Sequence, residues 1–202
     1  MAGDSSKFTA AIQAFDEANA ADPNHVEAGG KQWPKELLYG HQMSEWMGRF
    51  APDASEALRL AARCQHIRRW EIPRDTYPRD RVGYLKWRTE LKQMHARVAG
   101  EILATAGYGE DVIARVQSLL KKERLKSDPE TQTLEDVVCL VFLENWFVDF
   151  SRQHGPDKIV DIVAKTWEKM SPAGHDAALA MAHKLPGDAL ALVQRALGEQ
   201  DR

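Results

Sequence analysis

The chain has 202 residues, of which 44% are hydrophobic, and a formal net charge of −3 at pH 7. This composition is typical of a globular protein with a sizeable core and excludes an intrinsically disordered chain. The slightly acidic balance does not support nucleic-acid binding by the chain as a whole.

The N-terminal residues Met1–Phe15 follow the pattern of an amphipathic helix and differ from a signal peptide. No apolar run approaches the ~18 residues that a membrane-spanning helix requires. The two cysteines, Cys64 and Cys139, lie in apolar helical patterns, which indicates buried thiols and no disulfide framework. We therefore expect a cytoplasmic protein with no membrane partner.

Apolar residues recur at helical spacing through most of the chain, and almost nothing alternates with a period of two. The sequence predicts one all-α domain over 1–202, with a core at about 8–170 and C-terminal helices at 172–198 packed on it. Glu71–Val82, which contains two prolines, and the glycine pair at 29–30 predict loops. The predicted helices are Phe8–Ala20, Lys35–Phe50, Pro52–Trp70, Gly83–Ala106, Asp111–Arg124, Thr133–Phe150, Asp157–Met170, Pro172–His183 and Asp188–Gly198.

The predicted helix Thr133–Phe150 is apolar nearly all the way round, which is typical of a central buried helix. It nevertheless carries Glu135, Asp136 and Glu144, and the last two share one face because they are eight residues apart. Buried carboxylates need partners, since burying an unpaired charge is costly. Two interpretations have equal weight: a metal-ligating or acid/base role, and an ion pair with an arginine of segment 63–88.

Three histidines, His41, His66 and His95, each fall inside a predicted helix, on or beside its apolar stripe. For any one of them alone, a hydrogen-bonded core histidine is the commoner outcome. Neutral imidazoles together with a carboxylate such as Asp136 form a set that a divalent metal such as Mn, Fe or Zn prefers.

The segment Gln65–Arg88 mixes arginines with tryptophans and tyrosines. Guanidinium groups bind phosphate or carboxylate through paired hydrogen bonds, and aromatic rings can stack a base or a sugar. The alternative is a charged loop packed by prolines and aromatics against the helices. We expect a small anionic molecule as the partner, and homo-oligomerisation is left open. The candidate substrate-binding residues are Arg68, Arg69, Arg74, Arg88 and Trp70.

Several long motifs resemble one uncharacterised family, a domain of unknown function numbered 4202 in that series. The resemblance extends from Phe8 to about Met170 and implies no particular activity. The motifs are AARCQHIRRWEIPRDTYP, GYLKWRTEL and DPETQTLEDVVCLVFLE.

A second resemblance is to the HD superfamily of metal-dependent phosphohydrolases, which are all-α. The stretch HARVAGEILATAGY, which starts at His95, is similar to an HD helix. The sequence departs from that pattern at Ile67, where the His-Asp pair needs an aspartate, and at Lys122, where some members place a histidine. This resemblance implies an HD-like helical architecture. The metal ligands that it implies are, in chain order, His41, His66, His95 and Asp136.

Two functions follow as alternatives. The first is a metal-dependent hydrolase acting on a small phosphorylated or nucleotide substrate, in which the metal activates a water and Glu135 or Glu144 orients it. The second is a non-catalytic module that binds an anionic metabolite or an RNA end through the arginine-rich segment. A third interpretation is structural: the arginines and carboxylates pair with each other, and the surface serves a protein partner.

Overall fold

The fold is known from a computed structural model that describes residues 2–198, with side chains described from Ser6 onward. The described residues form ten α-helices and one short hairpin, so the predicted all-α class is confirmed. The chain divides into two compact units, the first ending at Thr131 and the second starting at Gln132. The single domain over 1–202 stays a prediction.

The first unit contains five complete helices and the hairpin. The hairpin strands are antiparallel, with His25 opposite Pro34. Gly29 and Gly30 form its turn with positive φ values of 59° and 72°, the conformation that such two-residue turns require. A loop was predicted here, because strands of four residues are too short for a period-two pattern. The elements are α1 (Ala2–Ala20), β1 (His25–Ala28), β2 (Lys31–Pro34), α2 (Lys35–Phe50), α3 (Glu56–Arg63), α4 (Arg81–Thr105) and α5 (Glu110–Lys121).

The predicted helix Pro52–Trp70 is much shorter in the structure. Ser55 caps its start by accepting the Leu58 N–H, and the helix ends at Arg63. The chain then turns so that Ile67 is fully buried, and Arg68 adopts a left-handed conformation with φ 49°. Two short 3-10 helices follow, at Arg69–Glu71 and Arg74–Thr76. His66 therefore lies in a turn, not inside a helix as predicted.

Helix α4 has 25 residues, and many of them are buried in the first unit. Asp80 caps it by accepting the Gly83 N–H at 2.7 Å. Helix α5 approaches α4 closely at Gly100, where a Cβ would lie only 2.4 Å from Gln117 Nε2. The Gln117 amide donates to the Ala96 carbonyl at 3.1 Å, which fixes the two helices side by side.

The second unit continues α6 and adds four helices. A π-helical segment at Phe142–Trp146 widens the turn of the predicted central helix, and the Asn145 amide donates to the Val141 carbonyl there. Leu140, Phe147 and Ile159 are fully buried. Across residues 2–198, no helix has the length and apolar character that a membrane crossing requires. The elements are α6 (Pro129–Val141), α7 (Phe147–Arg152), α8 (Pro156–Trp167), α9 (Pro172–Ala182) and α10 (Gly187–Ala196).

Candidate functional site

Five polar and aromatic side chains of the first unit meet beside α2 and α4, and we call them the polar cluster. Two come from the first turns of α2, two from the turn that follows α3, and one from the middle of α4. The early end of α3 is what brings the second pair to the cluster. The members are Glu36, Tyr39, His66, Arg69 and His95.

His66 is held on three sides within the polar cluster. Its Nδ1 lies 3.3 Å from Glu36 Oε2, and its Nε2 lies 3.0 Å from Arg69 Nη1. Its ring stacks on Tyr39 with 4.1 Å between centroids. Because a guanidinium can only donate, Nε2 accepts, and Nδ1–H donates to the Glu36 carboxylate. His66 is thus a neutral imidazole with a fixed tautomer.

His95 has one satisfied and one unsatisfied ring nitrogen. Its Nδ1 lies 2.7 Å from the Ile67 carbonyl oxygen. A carbonyl only accepts, so Nδ1 carries the hydrogen and Nε2 is an acceptor. Nε2 is buried and has no hydrogen-bond partner among the described residues. The ring lies 6.0 Å from that of His66, so this acceptor belongs to the same cluster.

Burial dominates the electrostatics of the polar cluster. It lowers the pKa of His66 well below its ordinary value and that of His95 to about 3, so both rings are neutral at pH 7. Burial raises the pKa of Glu36, against the opposing charge of Arg69. Further cations lower the pKa of His66 in addition to burial: Arg69, Arg88, Lys122 and Lys35.

The polar cluster has a buried floor and a more open edge. The Glu36 side chain is 7% exposed, whereas those of His66 and Arg69 are 21% and 25% exposed. Arg69 lies over the Trp87 ring at 4.9 Å. Arg88 is partly buried and lies 6.0 Å from the Tyr84 ring. Arg88 has no carboxylate partner in the described part of the chain.

Two residues of α1 and the loop after it hold the cluster in place. Asp22 accepts the Glu36 N–H at 3.0 Å and thereby caps α2. Asn19 donates to the Glu36 carbonyl at 3.3 Å and accepts the Arg68 N–H at 3.0 Å. This contact holds the left-handed turn from which His66 and Arg69 project.

Sequence reasoning missed Glu36, Tyr39, Asn19 and Asp22. Glu36 occupies the first turn of a helix, where an acidic residue usually indicates an exposed position. The signal that could have found it is its spacing of three from Tyr39 on the buried stripe of α2.

The other arginine-segment residues have separate contacts. Arg74 donates to the carbonyls of Tyr77 and Pro78 at 3.0 and 2.8 Å and so braces its own loop. The Arg68 side chain is 43% exposed and lies 3.9 Å from Glu71. Trp70 is half-buried in the first 3-10 helix. Of the predicted anion-binding residues, Arg69 belongs to the polar cluster, and burial, with a contribution from the charge of Arg88, lowers the pKa values of His66 and Arg69.

His41 belongs to a different group on α2. Its Nε2 lies 2.9 Å from Arg63 Nη2, and its ring lies 5.8 Å from that of Trp33. Arg63 makes a paired hydrogen bond to Asp16 at 2.7 and 2.6 Å. Burial lowers the pKa of His41, and the charge of Arg63 adds to this effect.

Asp136 serves the second unit by joining α6 to α9. Its Oδ1 accepts the Ser171 N–H at 2.8 Å, and its Oδ2 accepts the Ser171 hydroxyl at 2.6 Å. Gln132 also donates to Oδ1, at 3.1 Å. Gly174 is needed beside this pair, since a Cβ there would lie 2.7 Å from Oδ1. These contacts of Asp136 are with neutral donors, and its predicted metal-ligating or acid/base role stays a prediction.

The remaining predicted acid/base residues also lie in the second unit. Glu144 is in the π-helical segment, 3.5 Å from Lys184 Nζ. Glu135 is buried, with 5% of the residue exposed.

Of the predicted metal ligands His41, His66, His95 and Asp136, His66 and Asp136 have protein partners at every ligating atom. Both ring nitrogens of His66 face protein groups, and both Asp136 oxygens accept hydrogen bonds. Within residues 2–198, no group of three or more His, Cys, Asp or Glu side chains could hold a metal ion. The metal cofactor stays a prediction.

The family model described as Domain of unknown function (DUF4202) matches residues 9–193. No curated protein and no solved structure matches the chain. The HD-like architecture stays a prediction. Because the family model spans most of the sequence, the chain belongs to the family of domain of unknown function DUF4202.

Proposed function

We propose that the first unit binds a small phosphate-like anion at the open edge of the polar cluster. The observation that carries this proposal is the pair of arginines there. Arg69 lies over the ring of Trp87, and Arg88 is the next residue of α4; burial and then the charge of Arg88 lower the pKa of Arg69. Glu36 is the only carboxylate paired with Arg69 among the described residues. A second anion would relieve this repulsion.

The type of ligand follows from the donors. Guanidinium groups present several N–H donors in a plane, which match the oxygens of phosphate or carboxylate. The Trp87 ring backs Arg69, and the Tyr84 ring lies near Arg88, so both arginines are restrained beside aromatic surfaces. The unpaired His95 Nε2 is a second, independent reason to expect a polar ligand here.

A thermal-shift series with inorganic phosphate and a panel of nucleotides tests the proposal on three proteins. These are the wild type, Arg88→Gln, and Arg79→Gln as an exposed control from the same segment. At a ligand concentration a hundredfold above its Kd, we expect ~2.7 kcal/mol of stabilisation. It should be lost in Arg88→Gln and kept in Arg79→Gln. Absence of stabilisation of the wild type by every probe would overturn the proposal.

A metal-dependent phosphohydrolase is the second candidate function. The observation that favours it is the hydrogen bond from His95 Nδ1 to a backbone carbonyl, which leaves Nε2 available, as in many metal-binding histidines. Metal analysis of protein purified without chelator or nickel tests it, with His95→Gln as the variant. Stoichiometric Mn, Fe or Zn that is lost in the variant would support this function. A metal-free wild type would remove it.

The proposal also includes a cytoplasmic location. Cys64 is a buried thiol, and burial raises its pKa. A thiol kept out of a disulfide agrees with a reducing compartment. Localisation of a fluorescently tagged full-length chain checks this part.

A further inference from the structure

We infer that the polar cluster selects an oxyanion that still carries an acidic O–H at neutral pH, such as inorganic phosphate, over a fully ionised one such as sulfate. This inference rests on the proposed anion site. It concerns the chemical class of the ligand, which the arginines alone do not decide, because they would attract either anion.

The first reason is that the cluster has acceptors as well as donors. His95 Nε2 is a buried acceptor with no donor among the described residues. Glu36 Oε2 accepts from His66, whereas Glu36 Oε1 lies 4.0 Å from Arg69 Nε, beyond hydrogen-bond distance. Two acceptors with spare capacity therefore belong to the same polar cluster as Arg69.

The second reason is the cost of leaving such acceptors unpaired. Phosphate at neutral pH retains at least one P–OH group, which can donate to the His95 nitrogen or to the Glu36 carboxylate. Sulfate at the same pH has only acceptor oxygens, so it would leave a buried acceptor unpaired and place like charges together. Such a site discriminates against any ligand that leaves its buried acceptors without a donor.

His95 keeps its role as acceptor over the working pH range. Burial lowers its pKa to about 3, and the Ile67 carbonyl fixes the hydrogen on Nδ1. The acceptor on Nε2 is therefore permanent near pH 7 and does not become a donor to sulfate.

Isothermal titration of the full chain with phosphate, arsenate and sulfate at pH 7 and matched ionic strength tests the inference. Arsenate resembles phosphate in keeping an acidic O–H, so it should bind about equally. Sulfate should bind roughly ten- to a hundredfold more weakly. Equal binding of all three anions would overturn the selectivity while leaving the anion site intact. Binding of none would overturn the proposed function itself.

Glu36→Gln sharpens the same test. Its amide can donate to a sulfate oxygen, so the preference for phosphate over sulfate should fall several-fold toward one. Glu45→Gln is the matched control, since Glu45 lies on the same helix, is 69% exposed and should leave the preference unchanged. An unchanged preference in folded Glu36→Gln would overturn the part assigned to Glu36. The wild-type series decides the inference even if that variant fails to fold.

Discussion

Glu36 in the first unit and Asp136 in the second are both buried carboxylates, but their hydrogen-bond and charge partners differ. Asp136 is 2% exposed and Glu36 is 6% exposed. Both Asp136 oxygens accept hydrogen bonds from a single serine, whereas Glu36 faces a histidine and an arginine. Neutral donors to Asp136 join two helices, whereas the charged partners of Glu36 belong to the proposed anion site. Burial alone does not distinguish the two roles.

The largest expected effect comes from Asp136→Ala. It removes the acceptor for the Ser171 N–H and hydroxyl, and we expect the free energy of unfolding to fall by about 2 kcal/mol, because partly buried donors are left unpaired. Urea unfolding measures this, with Asp149→Ala, whose side chain is 80% exposed, as the control. Loss of phosphate binding by folded Asp136→Ala would contradict the purely structural role assigned to Asp136.

The polar cluster should make the first unit acid-sensitive. The pKa values of His66 and His95 are lowered in the folded protein, so the unfolded chain takes up protons first as the pH falls below about 6.5. The stability contribution is fully present above that pH and is lost at about 1.4 kcal/mol per pH unit for His95 alone, down to its folded pKa. The raised pKa of Glu36 acts with the opposite sign, since the folded state then takes up the proton first.

Unfolding midpoints of the wild type and His95→Asn between pH 7 and pH 5 check this sign. The free energy of unfolding should depend less on pH in His95→Asn than in the wild type, by the uptake of about one proton on unfolding. A slope that does not change would mean that His95 is not buried in its neutral form. His25→Asn, at an exposed hairpin position, is the control.

An intermediate effect is expected at the start of α6. Asp128 Oδ1 accepts the N–H groups of Glu130 and Thr131, and the Arg115 guanidinium makes a paired hydrogen bond to the Asp128 carboxylate. This pairing lowers the pKa of Asp128. Asp128→Ala should cost about 1 kcal/mol, the usual value of a helix cap. Chemical denaturation of Asp128→Ala and Asp128→Asn measures it, and the asparagine should retain most of the stability because it can still cap.

The smallest effect is expected at Lys184. Its pair with Glu144 is 3.5 Å long, and the Lys184 side chain is 57% exposed. Exposed pairs contribute little, so Lys184→Ala should change the free energy of unfolding by less than about 0.5 kcal/mol. Urea unfolding at low and high salt measures it. A loss above about 1 kcal/mol would show that Glu144, like Asp136, makes a contact that stabilises the fold.

The sequence predicted the all-α class because the apolar spacing is regular over most helices. It also identified His66, His95 and Asp136 as buried or partly buried polar residues. It did not predict the end of α3 at Arg63, since neither proline nor glycine marks that turn. Tertiary contacts set it, chiefly the burial of Ile67 and the hydrogen bond from Arg68 to Asn19. The site was missed in part because Glu36 becomes buried only through residues that are distant in sequence.

The contact between Asn19 and Arg68 also bears on the order in which the first unit folds. It joins residues 49 apart in sequence, and the Arg63–Asp16 pair joins residues 47 apart. Such contacts close large loops and form only after the loop-closure entropy has been overcome. The turn that presents His66 and Arg69 is therefore completed only once α1 has docked. Detachment of α1 would dismantle the proposed anion-binding edge while the pairing of α4 with α5 persists, and hydrogen exchange at the Arg68 amide would report that opening directly.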